Sequence, residues 1–181
     1  MLLFLITSCK VQKFNLEKET LNILNLTLTE YNESICLEKN TFYGHSRVEP
    51  NYLINHYQRV YNSSQKSAAY TLFYKEIYGV ITNKELKELK ERDFKWQKRE
   101  WNISKVFEQK VVLITNSITK SSCQDKKVLK ISEPVFTSDK NKAMVLITTS
   151  KNNTGSTFLK ILKKEKGKWN IIGGVPIGTG G

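Results

Sequence analysis

Residues 142–149 read Lys-Ala-Met-Val-Leu-Ile-Thr-Thr, and this stretch most limits what the chain can become. In an extended strand successive side chains point to opposite faces, so Ala143, Val145 and Ile147 share one face and Met144 and Leu146 the other. A strand that is apolar on both faces has to be covered on both, which places it centrally in a sheet with material above and below. The surrounding residues supply neighbours for it. Val111-Val112-Leu113-Ile114 reads as a strand of the buried type and residues 128–131 as a weaker one. Pro134-Val135-Phe136 leads into the polar turn Ser138-Asp139-Lys140-Asn141. Residues 150–156 form a loop before a strand at 157–163, and Glu165-Lys166-Gly167 makes a hairpin turn into Trp169-Asn170-Ile171-Ile172. The expected C-terminal half is an antiparallel β-meander.

The N-terminal half is helical in pattern. Within residues 17–32, Leu21, Leu24, Leu28 and Tyr31 recur at spacings of three and four, one face of a helix. Ile35-Cys36-Leu37 is a short strand candidate. Pro50 suits a first helical position, after which Leu53, His56, Tyr57, Val60 and Tyr61 share a face. Residues 62–67 are a polar break, and 69–80 fit either a strand or a buried helix. Thr82-Asn83-Lys84-Glu85 is a capping box opening a helix through about Phe94, with Leu86 and Leu89 inward. The fold class is therefore α+β, with N-terminal helices packed on the meander. At 181 residues the chain fits one domain, placed at 16–173. Five of the nine glycines crowd into residues 173–181, so 174–181 read as a flexible Gly-rich tail. No run approaches the roughly 18 apolar residues of a membrane-spanning helix.

The charge balance, 29 Lys+Arg against 17 Asp+Glu for a net +12, first suggests an acidic partner. Only 4 of the 29 are Arg, however, and planar phosphate and base recognition leans on the Arg fork. Basic nucleic-acid binding is thus the second alternative, behind the readings below. The excess is widely spread, although residues 140–168 hold 8 basic groups against 1 acidic.

Leu2-Leu3-Phe4-Leu5-Ile6 is apolar and is followed by Thr7-Ser8-Cys9. Ile6-Thr7-Ser8-Cys9 resembles the lipobox of bacterial lipoproteins, in which an aliphatic and two small residues precede a lipid-accepting cysteine. A thiol is a good nucleophile for that transfer. The resemblance implies residues 1–8 as a signal, Cys9 as the lipidation site, and the polar residues 9–15 as a tether. No Lys or Arg precedes the apolar run, which has five residues. A secretory signal has a basic start and an apolar run of about 7–15. A start placed too far downstream accounts for both differences.

The pattern Ile131-Ser132-Glu133-Pro134-Val135-Phe136, then Asp139 and Ala143, then Gly167-Lys168-Trp169, is similar to the C-terminal half of a group of uncharacterised bacterial envelope lipoproteins. The helix at 82–94 followed by Trp96 or Trp101 is similar too. The resemblance runs over much of the chain from Val80 onward and implies a bacterial cell-envelope location without an activity.

Export changes the meaning of the cysteines. With Cys9 taken by lipid, Cys36 and Cys123 remain as a candidate disulfide in an oxidising compartment, though two cysteines can equally sit unpaired in a core. His45 and His56, the two histidines, have no metal-ligand spacing, and neither a metal nor a cofactor is expected. An envelope hydrolase using His45 or His56 is the first alternative, since triad members are adjacent in space and not in sequence. Tyr43, Tyr52, Tyr57 and Tyr61 are candidate binding aromatics, set against simple core packing. The favoured reading is a non-catalytic binding or scaffolding domain held at a membrane by lipid on Cys9, with an acidic protein or anionic lipid as partner.

Overall fold

The computed structural model describes residues 14–40, 54–55, 57–59, 62, 79–91, 100–101, 111–114, 123–152 and 154–180, with no side-chain account of 178–180. Within these residues the protein is α+β. The elements are α1 (Leu16–Thr29), β1 (Ile35–Glu38), α2 (Asn83–Lys90), β2 (Val111–Ile114), β3 (Lys127–Ile131), β4 (Val135–Phe136), β5 (Lys142–Lys151), β6 (Thr154–Glu165) and β7 (Lys168–Gly180). The strands form one seven-stranded sheet in the order β2-β1-β3-β5-β6-β7, with β4 also paired to β5.

β5 occupies the place its sequence demands. One edge pairs with β6 along the whole strand, and the other with β3 and then β4. In the gap between those two partners the Leu146 N–H donates to Ser132 Oγ at 2.9 Å, and the Ser132 N–H donates to the Leu146 carbonyl. The edge is satisfied where a ladder bond would be missing. On one face Ala143, Val145 and Ile147 join Leu129, Ile131 and Leu162 beneath Ile23, Leu24 and Leu28 of α1. On the other, Met144 and Leu146 join Leu159, Ile161 and Val175 against Leu86 and Leu89 of α2 and the helical residues Ile54 and Tyr57. Two cores thus share one strand.

The sheet is mixed and not a plain antiparallel meander. β5, β6 and β7 follow one another as antiparallel neighbours and β4 is antiparallel to β5, but β1 runs parallel to both β2 and β3. β1 is wedged between two strands that both come far later in the chain, a pairing that no local pattern announces. β2, expected to be buried, is an edge strand whose residues are all half-buried. The expected loop 150–156 shrinks to a two-residue connection, because Lys151 pairs with Thr154. Asn152 there takes φ 50°. That is a left-handed conformation, which Asn tolerates. Between β6 and β7, Lys166 and Gly167 both have positive φ. This is the signature of a tight hairpin turn whose twist matches the strands.

Residues 174–180, read from composition as a flexible tail, are strand. β6 offers a long edge, and β7 pairs with it out to Gly155↔Gly180, so backbone hydrogen bonding overrides low intrinsic β-propensity. Two register shifts let it do so. The one beside Leu162 puts Ile171 in the α1 core and Val175 in the opposite core, although an even spacing along a regular strand would put both on one face. Gly174 lies against the Lys160 stem, where an added Cβ would come within 3.1 Å of Cδ.

The helices begin as their sequences direct. Asn15 caps α1 by accepting the Lys18 N–H at 3.0 Å. Thr82 and Glu85 form the expected capping box on α2. Replacing Val145, wholly buried, with Asp would leave an unpaired carboxylate in the packed sheet interior. Val145→Asp is expected to cost about 4 kcal/mol and lower the melting temperature on the order of 10 °C in thermal unfolding.

Candidate functional site

α1 is held on the sheet by charged pairs as well as by its apolar face. Glu19, one turn before Ile23 and on the same side of the helix, points inward. It is only 8% exposed. Its Oε1 accepts from Lys164 Nζ at 2.7 Å and its Oε2 from Trp169 Nε1 at 2.6 Å. Lys160, four residues earlier on the same face of β6, reaches Glu30 at the other end of the helix at 3.1 Å. The opposite face repeats the device: Lys142 donates to both Glu85 oxygens, at 2.7 and 2.9 Å, while Glu85 also completes the capping box. Lys90 of α2 donates to Gln58.

Around the Glu19 cluster lies an aromatic group. Phe14 meets Phe136 edge-on at 5.4 Å, and Phe136 meets Trp169 at 5.7 Å. Both separations suit the edge and tilted geometries that aromatic rings prefer. Lys140 sits over the Phe14 ring at 4.6 Å, within reach of the ring's negative face. The turn carrying Lys140 is fixed by Thr137, whose Oγ1 donates to Asp139 Oδ1 at 2.6 Å, and by Asp139, which accepts the Asn141 N–H. Lys140 itself takes φ 59°. Phe14, just before α1, therefore lies beside the β4–β5 turn, and the Lys164 N–H to Asn141 carbonyl bond sets that turn against the end of β6.

Glu19, Glu85, Asp139 and Glu33 are held below the ordinary carboxylate values. Burial pushes Glu19 up, but hydrogen bonds from Lys164 and Trp169 and the Lys164 charge outweigh it and hold the carboxyl below its ordinary 4.5. Hydrogen bonds and charges that favour the ionised form lower a carboxyl in this way. Glu85 behaves alike, burial being outweighed by Lys142 and by Thr82. Burial raises Asp139 too, and Thr137 and Asn141 outweigh it. Glu33 is lowered by its hydrogen bond from Lys127 and that lysine's charge. Tyr31 moves the other way, pushed up to about 12 by burial and by Glu30. A general acid at neutral pH needs a carboxyl raised toward neutrality. The four carboxylates are anchors, already ionised and engaged.

Cys36 and Cys123 are joined in a disulfide with Cα atoms 6.1 Å apart. That is within the normal span of such bridges. It ties β1 to the turn that enters β3. Tyr57 is wholly buried and its hydroxyl accepts the Ile81 N–H at 3.4 Å, so it packs the second core and cannot stack on a ligand at the surface. Cys9, Tyr43, Tyr52, Tyr61, His45, His56 and Trp96 lie outside the described residues. Trp101 is buried against the α1 core, its backbone N–H donating to the Lys39 carbonyl at 2.8 Å. Among the described residues no three His, Cys, Asp or Glu side chains come together as metal ligands. No helix among them is long and apolar enough to cross a membrane.

The Glu19–Lys164–Trp169 contact went unforeseen, because its members lie at opposite ends of the sequence. A single hint was present, a carboxylate falling on the apolar face of an otherwise amphipathic helix. Compared with family models, with curated protein sequences and with solved structures, the chain finds no match.

Two measurements follow from this geometry. Glu19 and Glu85 titrate below their ordinary values in the folded protein. Such carboxyls stabilise the fold above about pH 4.5, and that stability is lost as pH falls through the folded values. Unfolding free energy is expected to be level near neutrality and to decline below the ordinary carboxylate range. Glu19→Gln should flatten part of that slope and cost about 2 kcal/mol at neutral pH, by urea titration. Separately, the bridge closes a loop with a sequence separation of 87. Cys36→Ala with Cys123→Ala should therefore cost about 4 kcal/mol, and the denatured, unreduced parent should titrate no thiol from either residue.

Proposed function

We propose that this chain is a lipid-anchored protein of the bacterial cell envelope that acts by binding or scaffolding. The observation that carries the reading is the Cys36–Cys123 disulfide. Structural disulfides persist in oxidising compartments and are rare in the reducing cytosol. The bridge therefore supports export, and it uses the two cysteines other than the one at the lipobox-like Ile6-Thr7-Ser8-Cys9. In this reading the thiol of Cys9 receives diacylglycerol, and the residues between it and Phe14 tether a body in which helices ride on the antiparallel C-terminal strands.

Binding is preferred to catalysis because of what the paired carboxylates do. Glu19, Glu33 and Glu85 each engage a lysine, and all are tuned away from neutrality. Such pairs hold helices and loops on a sheet without preparing a group for proton transfer. The net charge of +12 favours an acidic partner, through attraction that salt screens.

The intact mass of the mature N-terminal peptide tests the anchor. Cys9 is expected to be the first residue and to carry acyl chains, and Cys9→Ala should leave the protein soluble or unprocessed. An unmodified Cys9, or a Cys9→Ala protein still wholly in the membrane fraction, would overturn the reading.

A further inference from the structure

The start of α1 lies at one end of the sheet, and that end has a composition of its own. Phe14 lies there, against Phe136 and under Lys140 of the β4–β5 turn. The β6–β7 turn is at the same end, since the Lys164 N–H bonds the Asn141 carbonyl at 2.7 Å and Lys142 pairs with Lys163. Exposed lysines gather on these segments: Lys18 in the first turn of α1, Lys140 over the Phe14 ring, and Lys166 and Lys168 in and beside the hairpin turn. Lys163 is drawn to Glu165 at 2.8 Å, Lys164 to Glu19 and Lys142 to Glu85. Among the described residues the acidic groups nearby are these three, Glu17, and Asp139, whose carboxylate is taken up inside its own turn. At the opposite end the arrangement differs, with Lys127 and Lys151 both turned to Glu33.

The same end carries an exposed apolar residue. Leu16, 47% exposed, is the large hydrophobic side chain that stands out at the surface among the described residues. Two turns before Ile23, it shares the helix face that packs on the sheet, but at the start of the helix it stands half in water.

We propose that this end of the domain is a docking surface for anionic lipid headgroups, with Lys140, Lys166, Lys168 and Lys18 facing the charged interface and Leu16 entering its apolar margin. The proposal rests on the lipid anchor at Cys9. The steps from Cys9 to Phe14 span at most about 18 Å when fully extended. An anchor at Cys9 holds the end of the domain where Phe14 sits closest to the bilayer, within about two screening lengths of the headgroups. A basic, partly apolar face at that point adds a second attachment to the acyl chains, the combination that makes membrane binding stable. It also orients the domain, since a tether alone leaves it free to tumble. The opposite end, with the Lys151–Thr154 connection, would then face away from the membrane toward partners.

The test uses the full chain with Cys9→Ser, so that acyl chains do not mask the domain's own affinity. It is sedimented with phosphatidylglycerol-containing and with pure phosphatidylcholine vesicles, at low and high salt. Binding is expected on the anionic vesicles alone and to weaken with salt. Lys140→Gln, Lys166→Gln and Lys168→Gln together should reduce it by on the order of a hundredfold, about fivefold for each lysine at the interface. Lys126→Gln, Lys127→Gln and Lys151→Gln remove the same charge at the opposite end and should change it by less than about threefold. Leu16→Ser should lower binding at both salt concentrations. Equal losses in the two triple variants, or equal binding to both vesicles, would overturn the docking surface. All of these lysines and Leu16 are exposed or partly exposed, and unchanged thermal melting verifies that the fold is intact. The intact mass of the natural chain separates the two ideas. Lipid on Cys9 with indifferent lysines removes the docking surface and leaves the anchor, whereas lysine-dependent binding without lipid on Cys9 supports the surface and removes the anchor.

Discussion

β5 is hydrogen-bonded along both edges and covered on both faces, and the elements around it take their positions from those four sides. β6 lies along one edge, and β3, Ser132 and β4 complete the other. α1 covers the face of Val145, while α2 and the helical residues Ile54 and Tyr57 cover the face of Met144. Burying the two faces of one strand against separate layers removes apolar surface from water on both sides, and hydrophobic burial is the dominant favourable term in folding. Displacing the strand by a single residue would exchange its two faces, so its register is tightly specified.

Ion pairs then select where on those faces the helices sit. Apolar packing is non-directional and would tolerate sliding of α1 along the sheet. Glu19 on Lys164 and Trp169, together with Glu30 on Lys160, fixes the helix at both ends and makes it antiparallel to β6. Partly buried pairs of this kind contribute more to geometry than to net stability, because desolvation offsets much of the attraction. Gly174 belongs to the same arrangement, its missing side chain giving the Lys160 stem room to lie flat. The disulfide has a related role on the other half of the sheet. Through Cys36 it secures β1, whose parallel neighbours β2 and β3 arrive late in the chain and without a hairpin to guide them.

These constraints bring the start of α1, the β4–β5 turn and the β6–β7 turn to a single end of the sheet. The lysines that look diffuse along the chain are sorted by this topology. Among the described residues many are paired with glutamates on helices or neighbouring strands, and of the exposed ones Lys18, Lys140, Lys166 and Lys168 share that end. A net charge is a property of composition, but a charged surface is a property of topology.

What could be read from residues alone was local. The alternation in 142–149 specified a strand buried on both faces, Thr82 and Glu85 specified a helix start, and Lys166-Gly167 specified a tight turn, since each is encoded within a few neighbouring positions. Of the candidate site residues, the Cys36–Cys123 pair could be named but its geometry could not, and Tyr57 looked the same whether it packed a core or bound a ligand. Tertiary structure alone decided the remainder. The parallel insertion of β1, the use of a glycine-rich end as strand β7, and the meeting of Glu19 with Trp169 all depend on partners outside the local segment. Periodicity and turn preference describe how a segment meets water and its own backbone. They say nothing about which distant segment will supply the matching edge, face or charge.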